Sequence, residues 1–180
     1  ILITALAKLE DVSKAVTMEA KCLGDLLYVL GETKDEQGGS EYYRYLGERT
    51  RGTPYIGNHV PMVDLERAKS LYKALSDAIA RGLVNSAHAP TIGGLGVAFA
   101  KVAFAGMLGL DVDLSKIPRE DFVNEWVALF SESNSRFIVT IPEERRGEFE
   151  ATMTGNAFAL VGRVTDNTRL RIRGLKEELI

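Results

Sequence analysis

Cysteine is nearly absent from this sequence: the single thiol among 180 residues is Cys22. That excludes an internal disulfide framework and fits a reducing compartment. Histidine is almost as scarce, with only His59 and His88, so no histidine-rich metal motif can be drawn. No apolar run reaches the ~18–20 residues of a membrane span, and no basic-then-apolar signal segment opens the chain. Neither sign of charge dominates. The 22 Lys and Arg against 25 Asp and Glu leave a formal charge of −3, which argues against the basic face of a nucleic-acid binder. What is present is 46% hydrophobic and 26% charged residues, enough for one sizeable core over residues 1–180. The expectation is a single soluble cytoplasmic domain with no membrane or nucleic-acid partner. Ile1 opens on a strand-like run and Leu175–Ile180 stops within what reads as a helix. Termini usually trail off in polar residues, so a piece of a longer, multi-domain chain is expected.

Periodicity places the elements. Ile1–Lys8, Ala15–Met18 and Asp25–Gly31 read as short strands, with Gly24-Asp25 as a turn. Glu32–Gly57 is polar and glycine-bearing and reads as a long loop with one helical turn around Ser40–Leu46. Loops of that length are commonly functional or interface-forming. Asp64–Arg81 is the clearest helix: Leu65, Ala68, Leu71, Tyr72, Leu75, Ala78 and Ile79 form one stripe, with Asp64 as N-cap and Gly82 just past the end. Leu83–His88 is a strand, and Gly93–Leu108 a helix so apolar all round that burial is expected. Then follow strand Leu110–Leu114, helix Arg119–Phe130, strand Ser135–Ile141 and an exposed helix Glu143–Thr152. Strands Ala157–Thr165 and Leu170–Ile172 close the chain, joined as a hairpin at Asp166-Asn167. Strands alternate with helices, which makes the fold α/β or mixed α+β and layered.

Chemistry-bearing residues gather in three places. Gly38-Gly39-Ser40, ahead of a helical turn, could present backbone N–H groups to a phosphate; equally, they read as a loop needing positive φ and a serine N-cap. The surrounding Glu32, Lys34, Asp35, Glu36 and Glu41 read as a solvated face, with no spacing that demands Mg²⁺. Ser131–Arg136 packs three serines, Glu132 and Arg136 between a helix and a strand. It could hold a phosphorylated or hydroxyl-rich ligand, or be a turn whose side chains satisfy local backbone. His88 ahead of Gly93-Gly94 resembles an anion-binding turn, but no carboxylate beside it would orient it, and a core or hydrogen-bonded histidine is expected. Cys22, without a partner base, reads as a core thiol. No nucleophile–base pair, metal triad or phosphate loop of known spacing emerges.

Five segments together do carry a resemblance: AKLEDVSKAVTM (7–18), GETKDEQGGSEYY (31–43), HAPTIGGLGVAFAKVAFAG (88–106) with GLDVDL (109–114), FSESNSRFIVTI (130–141) and LVGRVTDNTRLRI (160–172). In this order they resemble the C-terminal domain of the large subunit of phosphoribosylformylglycinamidine synthase, within the superfamily of aminoimidazole ribonucleotide synthetase. The resemblance implies a three-layer α/β/α domain with a mixed sheet. It implies a part in the ATP-dependent amidation of formylglycinamide ribonucleotide in purine biosynthesis, with this domain as scaffold. ATP and Mg²⁺ would then be held chiefly by other domains. The implied partners are the remaining domains of the large subunit, a glutaminase subunit and a small accessory subunit; alone, the domain would be inactive and prone to self-associate as a homo-oligomer. Where the family often carries acidic residues after the histidine, this chain has Ala89 and Ile92. No catalytic or metal-binding residue is therefore carried over. Gly38, Gly39, Ser40, Glu132, Ser133 and Arg136 stand as substrate-binding or interface candidates. The alternative is a stand-alone module binding a ribonucleotide or phosphate.

Overall fold

A computed structural model describes residues 4–121, 123–176 and 178–179. The apolar run after Gly24 becomes strand β1 (Leu26–Leu30), whose five residues are all buried. Such a strand must be covered on both faces, and it is. Leu27 and Val29 point into one core with α3 (Gly94–Gly106) and α4 (Glu125–Phe130). Leu26, Tyr28 and Leu30 point into a second core with α2 (Leu65–Ala80) and α5 (Arg146–Met153). The period-two alternation of a strand thus divides one segment between two layers. The domain has the three-layer α/β/α arrangement that the resemblance implies.

The sheet also contains β2 (Ser86–His88), β3 (Gly109–Asp113), β4 (Phe137–Ile141), β5 (Phe158–Thr165), β6 (Leu170–Arg173) and β7 (Glu178–Leu179). Among the described residues the strand order is β2-β4-β1-β5-β3-β6-β7. Every pairing is antiparallel except β3 with β6. Tyr28 on β1 meets Phe149 of α5 edge to face, with ring centroids 5.0 Å apart, a contact worth about 1 kcal/mol beyond its burial.

Local sequence signals place most elements. Asp64 caps α2 by accepting the Arg67 N–H, and Gly82 takes the left-handed conformation just past its end. Several expectations need correction. Asp166-Asn167 does not join a hairpin, because β3 lies between β5 and β6 and pairs with both. The helical turn near Ser40 is a full helix, α1 (Glu41–Arg51). The helix expected from Arg119 begins only at Glu125: Arg119 is bridged to Thr33, and the Asn124 side chain caps the Val127 N–H. Of the strand expected at Ile1–Lys8, residues 1–3 lie outside the described residues, and 4–8 run exposed without a strand partner. Ala15–Met18 forms no strand either, although the Thr17 carbonyl accepts from Ala87 N–H. Helix α3 buries one face only; Phe104 is 88% exposed, and Met107, just past the helix end, is 82% exposed. Cys22 is exposed and is not a core thiol.

Candidate functional site

The polar segment leaving β1 and the segment entering β4 are knitted together. At Gly31 the chain turns with φ +82°, and a Cβ there would lie 2.2 Å from the Ser135 carbonyl oxygen. Only glycine permits that approach. Beyond it, Thr33 is fully buried and donates its backbone N–H to the Pro118 carbonyl at 2.8 Å. Ser131 Oγ donates to the Lys34 carbonyl at 2.7 Å, and Lys34 N–H donates to Ser133 Oγ at 3.1 Å. Thr33, Lys34, Ser131, Ser133 and Arg136 close one polar knot from segments about a hundred positions apart.

Arg136 is the centre of that knot and is 2% exposed. Its Nε donates to the Ser133 carbonyl at 3.0 Å, Nη1 to Thr33 Oγ1 at 2.9 Å, and Nη2 to the Ser131 carbonyl. Burial pulls the guanidinium down to about 10, while Glu36 and Glu132 act in the opposite direction. It remains cationic at neutral pH, and its fork suits several fixed acceptors at once.

Glu132 joins two helix starts. Its Oε1 accepts from Glu41 N–H at 3.0 Å, at the start of α1, and from Gly93 N–H at 2.9 Å, at the start of α3. A carboxylate there complements both helix dipoles. Beside it Tyr42 stacks on Phe130 at 5.0 Å with planes 7° apart, and Trp126 lies parallel to both.

The glycine pair faces elsewhere. Gly38 N–H donates to the His59 carbonyl and Gly39 N–H to the Ile56 carbonyl, each at 2.6 Å. Ser40 N–H donates to the Gln37 carbonyl, and the Ser40 hydroxyl caps α1 through Tyr43 N–H at 3.2 Å. Gly39 takes φ +75°. All three backbone donors of Gly38–Ser40 are committed inside the chain. Glu36 departs from the expected solvated face: it is buried, and its Oε1 accepts the Met62 N–H at 2.9 Å. His88 Nε2 is buried without a hydrogen-bond partner among the described residues, and burial, then Lys101, pushes its imidazole below the ordinary range.

A cavity of about 530 Å³ opens beside the knot, at the start of α2. Its charged lining is Glu32, Glu36, Asp64 and Glu66 against Lys34 and Arg67, so carboxylates outnumber cations. None of the six residues singled out by the sequence lines it. Thr33 and Gln37 were missed by sequence reasoning, since their role is set by partners distant in the chain. Among the described residues no three His, Cys, Asp or Glu side chains gather to hold a metal ion. The Gly38–Ser40 backbone donors, engaged inside the chain, do not form the phosphate cradle that their sequence could offer.

These layers and this knot define a class. Residues 23–174 match the family described as AIR synthase related protein, C-terminal domain, and the chain belongs to that family. Within it the chain is similar to phosphoribosylformylglycinamidine synthase subunit PurL of Thermococcus sibiricus, at 38% identity over 160 residues. That match covers 88% of this chain and 21% of the relative. The same subunit of Methanocaldococcus jannaschii is 34% identical over 180 residues, which is 99% of this chain and 23% of that protein. The chain thus spans less than a quarter of the length of these relatives. In three dimensions it is similar to T. maritima PurL complexed with FGAR, with a TM-score of 0.80 at 20% identity, covering 94% of this chain and 28% of that one. E. coli HypE, a hydrogenase maturation protein, shares the fold at a TM-score of 0.60, 18% identity and coverage of 92% and 51%.

Proposed function

We propose that this chain is the C-terminal domain of a PurL-type large subunit, one piece of a longer polypeptide. That polypeptide is an ATP-dependent, C–N bond-forming ligase. It converts formylglycinamide ribonucleotide and glutamine-derived ammonia to formylglycinamidine ribonucleotide in cytoplasmic purine biosynthesis. The observation that carries this reading is the alignment of 99% of the chain with 23% of an enzyme subunit at 34% identity.

The domain's own contribution is scaffolding. The Arg136 knot and the Glu132 bridge hold residues 31–43 and the starts of α1 and α3 in one fixed arrangement. Such preorganisation is what positions reactants held elsewhere. Gly38, Gly39, Ser40, Glu132, Ser133 and Arg136 act as positioning and interface residues. ATP and Mg²⁺ are handled by the other domains, and a glutaminase and a small accessory subunit complete the assembly.

An antibody against this domain reads the native mass in source extract, and the purified native polypeptide is assayed for ADP formation from ATP, ammonia and formylglycinamide ribonucleotide. A chain several times longer than 180 residues that forms the amidine is expected. A native chain of this size, or a long one without the activity, overturns the reading.

A further inference from the structure

Residues 52–63, GTPYIGNHVPMV, contain no Asp, Glu, Lys or Arg, in a chain that is 26% charged. They form neither helix nor strand. The segment nevertheless puts large apolar side chains into water: Ile56 is 70% and Met62 68% exposed, and Tyr55, Val60, Val63 and the adjoining Leu65 are exposed too. Exposed apolar residues usually stand singly among charges; a run of six marks a surface made to be covered.

This run is also held in shape. The carbonyls of His59 and Ile56 accept from Gly38 and Gly39, and Met62 N–H donates to Glu36. Against α1 the loop lies so close that a Cβ on Gly47 would sit 2.2 Å from the Tyr55 nitrogen. Tyr55 packs on Tyr43 with ring centroids 4.7 Å apart and planes tilted by 44°. A loop tethered along its length is a preformed platform, and ordering it again on binding costs little.

We propose that this platform, Tyr55 to Leu65, is the face on which another domain of the same polypeptide sits. The assignment rests on the proposed reading of the chain as one domain of a longer subunit. Two observations select the occupant. The matched segment accounts for only 21–23% of the relatives' length, so most of such a polypeptide lies outside these 180 residues. A largely apolar face, with Asp64 at its edge as the one charged side chain between Tyr55 and Leu65, is the chemistry of permanent contacts, whereas transient partners meet more polar surfaces.

The test is oxidation of Met62 by hydrogen peroxide in the purified native polypeptide, free of other subunits, read by mass spectrometry of the sulfoxide. Sulfoxide formation follows exposure. Met62 should oxidise about tenfold more slowly than in the urea-unfolded chain, near the rate of fully buried Met153, and dilution should not change it. Oxidation near the unfolded rate overturns the assignment. Protection that disappears on dilution overturns it in favour of a second copy of the chain. The native mass of the same sample keeps the two failures apart: a chain of only 180 residues removes the underlying domain reading, whereas a long chain with reactive Met62 removes the docking face alone.

Discussion

The Glu132 carboxylate lies 2.9 Å from the Gly93 backbone nitrogen, and the same oxygen takes the Glu41 N–H. Helix α3 begins at Gly93 in the left-handed conformation with no side-chain cap of its own, so a residue 39 positions away supplies one. Replacing Glu132 with alanine leaves two helix starts without that acceptor. A loss of about 2 kcal/mol is expected for Glu132→Ala and about half that for Glu132→Gln, which keeps an acceptor oxygen but not the charge. Urea unfolding checks both; equal stability of Glu132→Ala and the parent would show the bridge to be idle.

Arg136, 2% exposed, donates to two carbonyls and one hydroxyl. Lysine carries the charge but cannot reach three fixed acceptors, so Arg136→Lys is expected to cost about 3 kcal/mol, close to Arg136→Met. Chemical denaturation measures this. A ligand-binding arginine would instead leave stability intact and weaken binding, so an unchanged midpoint for Arg136→Lys would count against the scaffold reading.

Two glycines with similar backbone angles separate conformational strain from collision. Gly31 and Gly155 have φ of +82° and +87°, but only at Gly31 would a Cβ meet anything, the Ser135 oxygen at 2.2 Å. Gly155→Ala should cost about 1 kcal/mol for left-handed backbone alone. Gly31→Ala should cost about 3 kcal/mol or more, because the knot must open to admit the methyl group. Similar melting temperatures for the two variants would disprove the close approach.

Two carboxyls should respond to pH in opposite senses. Burial raises Asp25 above its ordinary 3.8, opposed by hydrogen bonds from Asn85 and Thr140. Its contribution to stability is therefore complete below about pH 3.8 and declines as pH rises through the folded value. The Tyr28 hydroxyl, 2.7 Å away, and then Arg146 hold Glu150 below its ordinary 4.5 despite partial burial. That contribution is present above pH 4.5 and is lost as pH falls through the folded value. Asp25→Asn should thus gain relative to the parent between pH 3 and 7. Tyr28→Phe should lose about 1 kcal/mol at pH 7, with a smaller penalty below pH 4. Urea titrations across that range decide both signs.

Much of the architecture was legible locally. The stripe Ala68, Leu71, Leu75, Ala78 and its Asp64 cap announce α2, and the apolar run within Asp25–Gly31 announces strand β1. The segments 31–43 and 130–141 are among the five that carry the family resemblance. Their relation was not legible. Whether Ser131 and Ser133 serve a ligand or the Lys34 backbone depends on which chain segment folds over them, and nothing in six consecutive residues states that.

Amino-acid order by itself determined most of the helices and strands and the Asp64 cap of α2, because hydrophobic periodicity and capping act over a few residues. Tertiary structure alone decided that β3 separates β5 from β6, that Arg136 faces inward, and that residues 52–63 form a tethered apolar platform. Each is a pairing between distant segments, whose energy exists only once the chain has closed the loops between them.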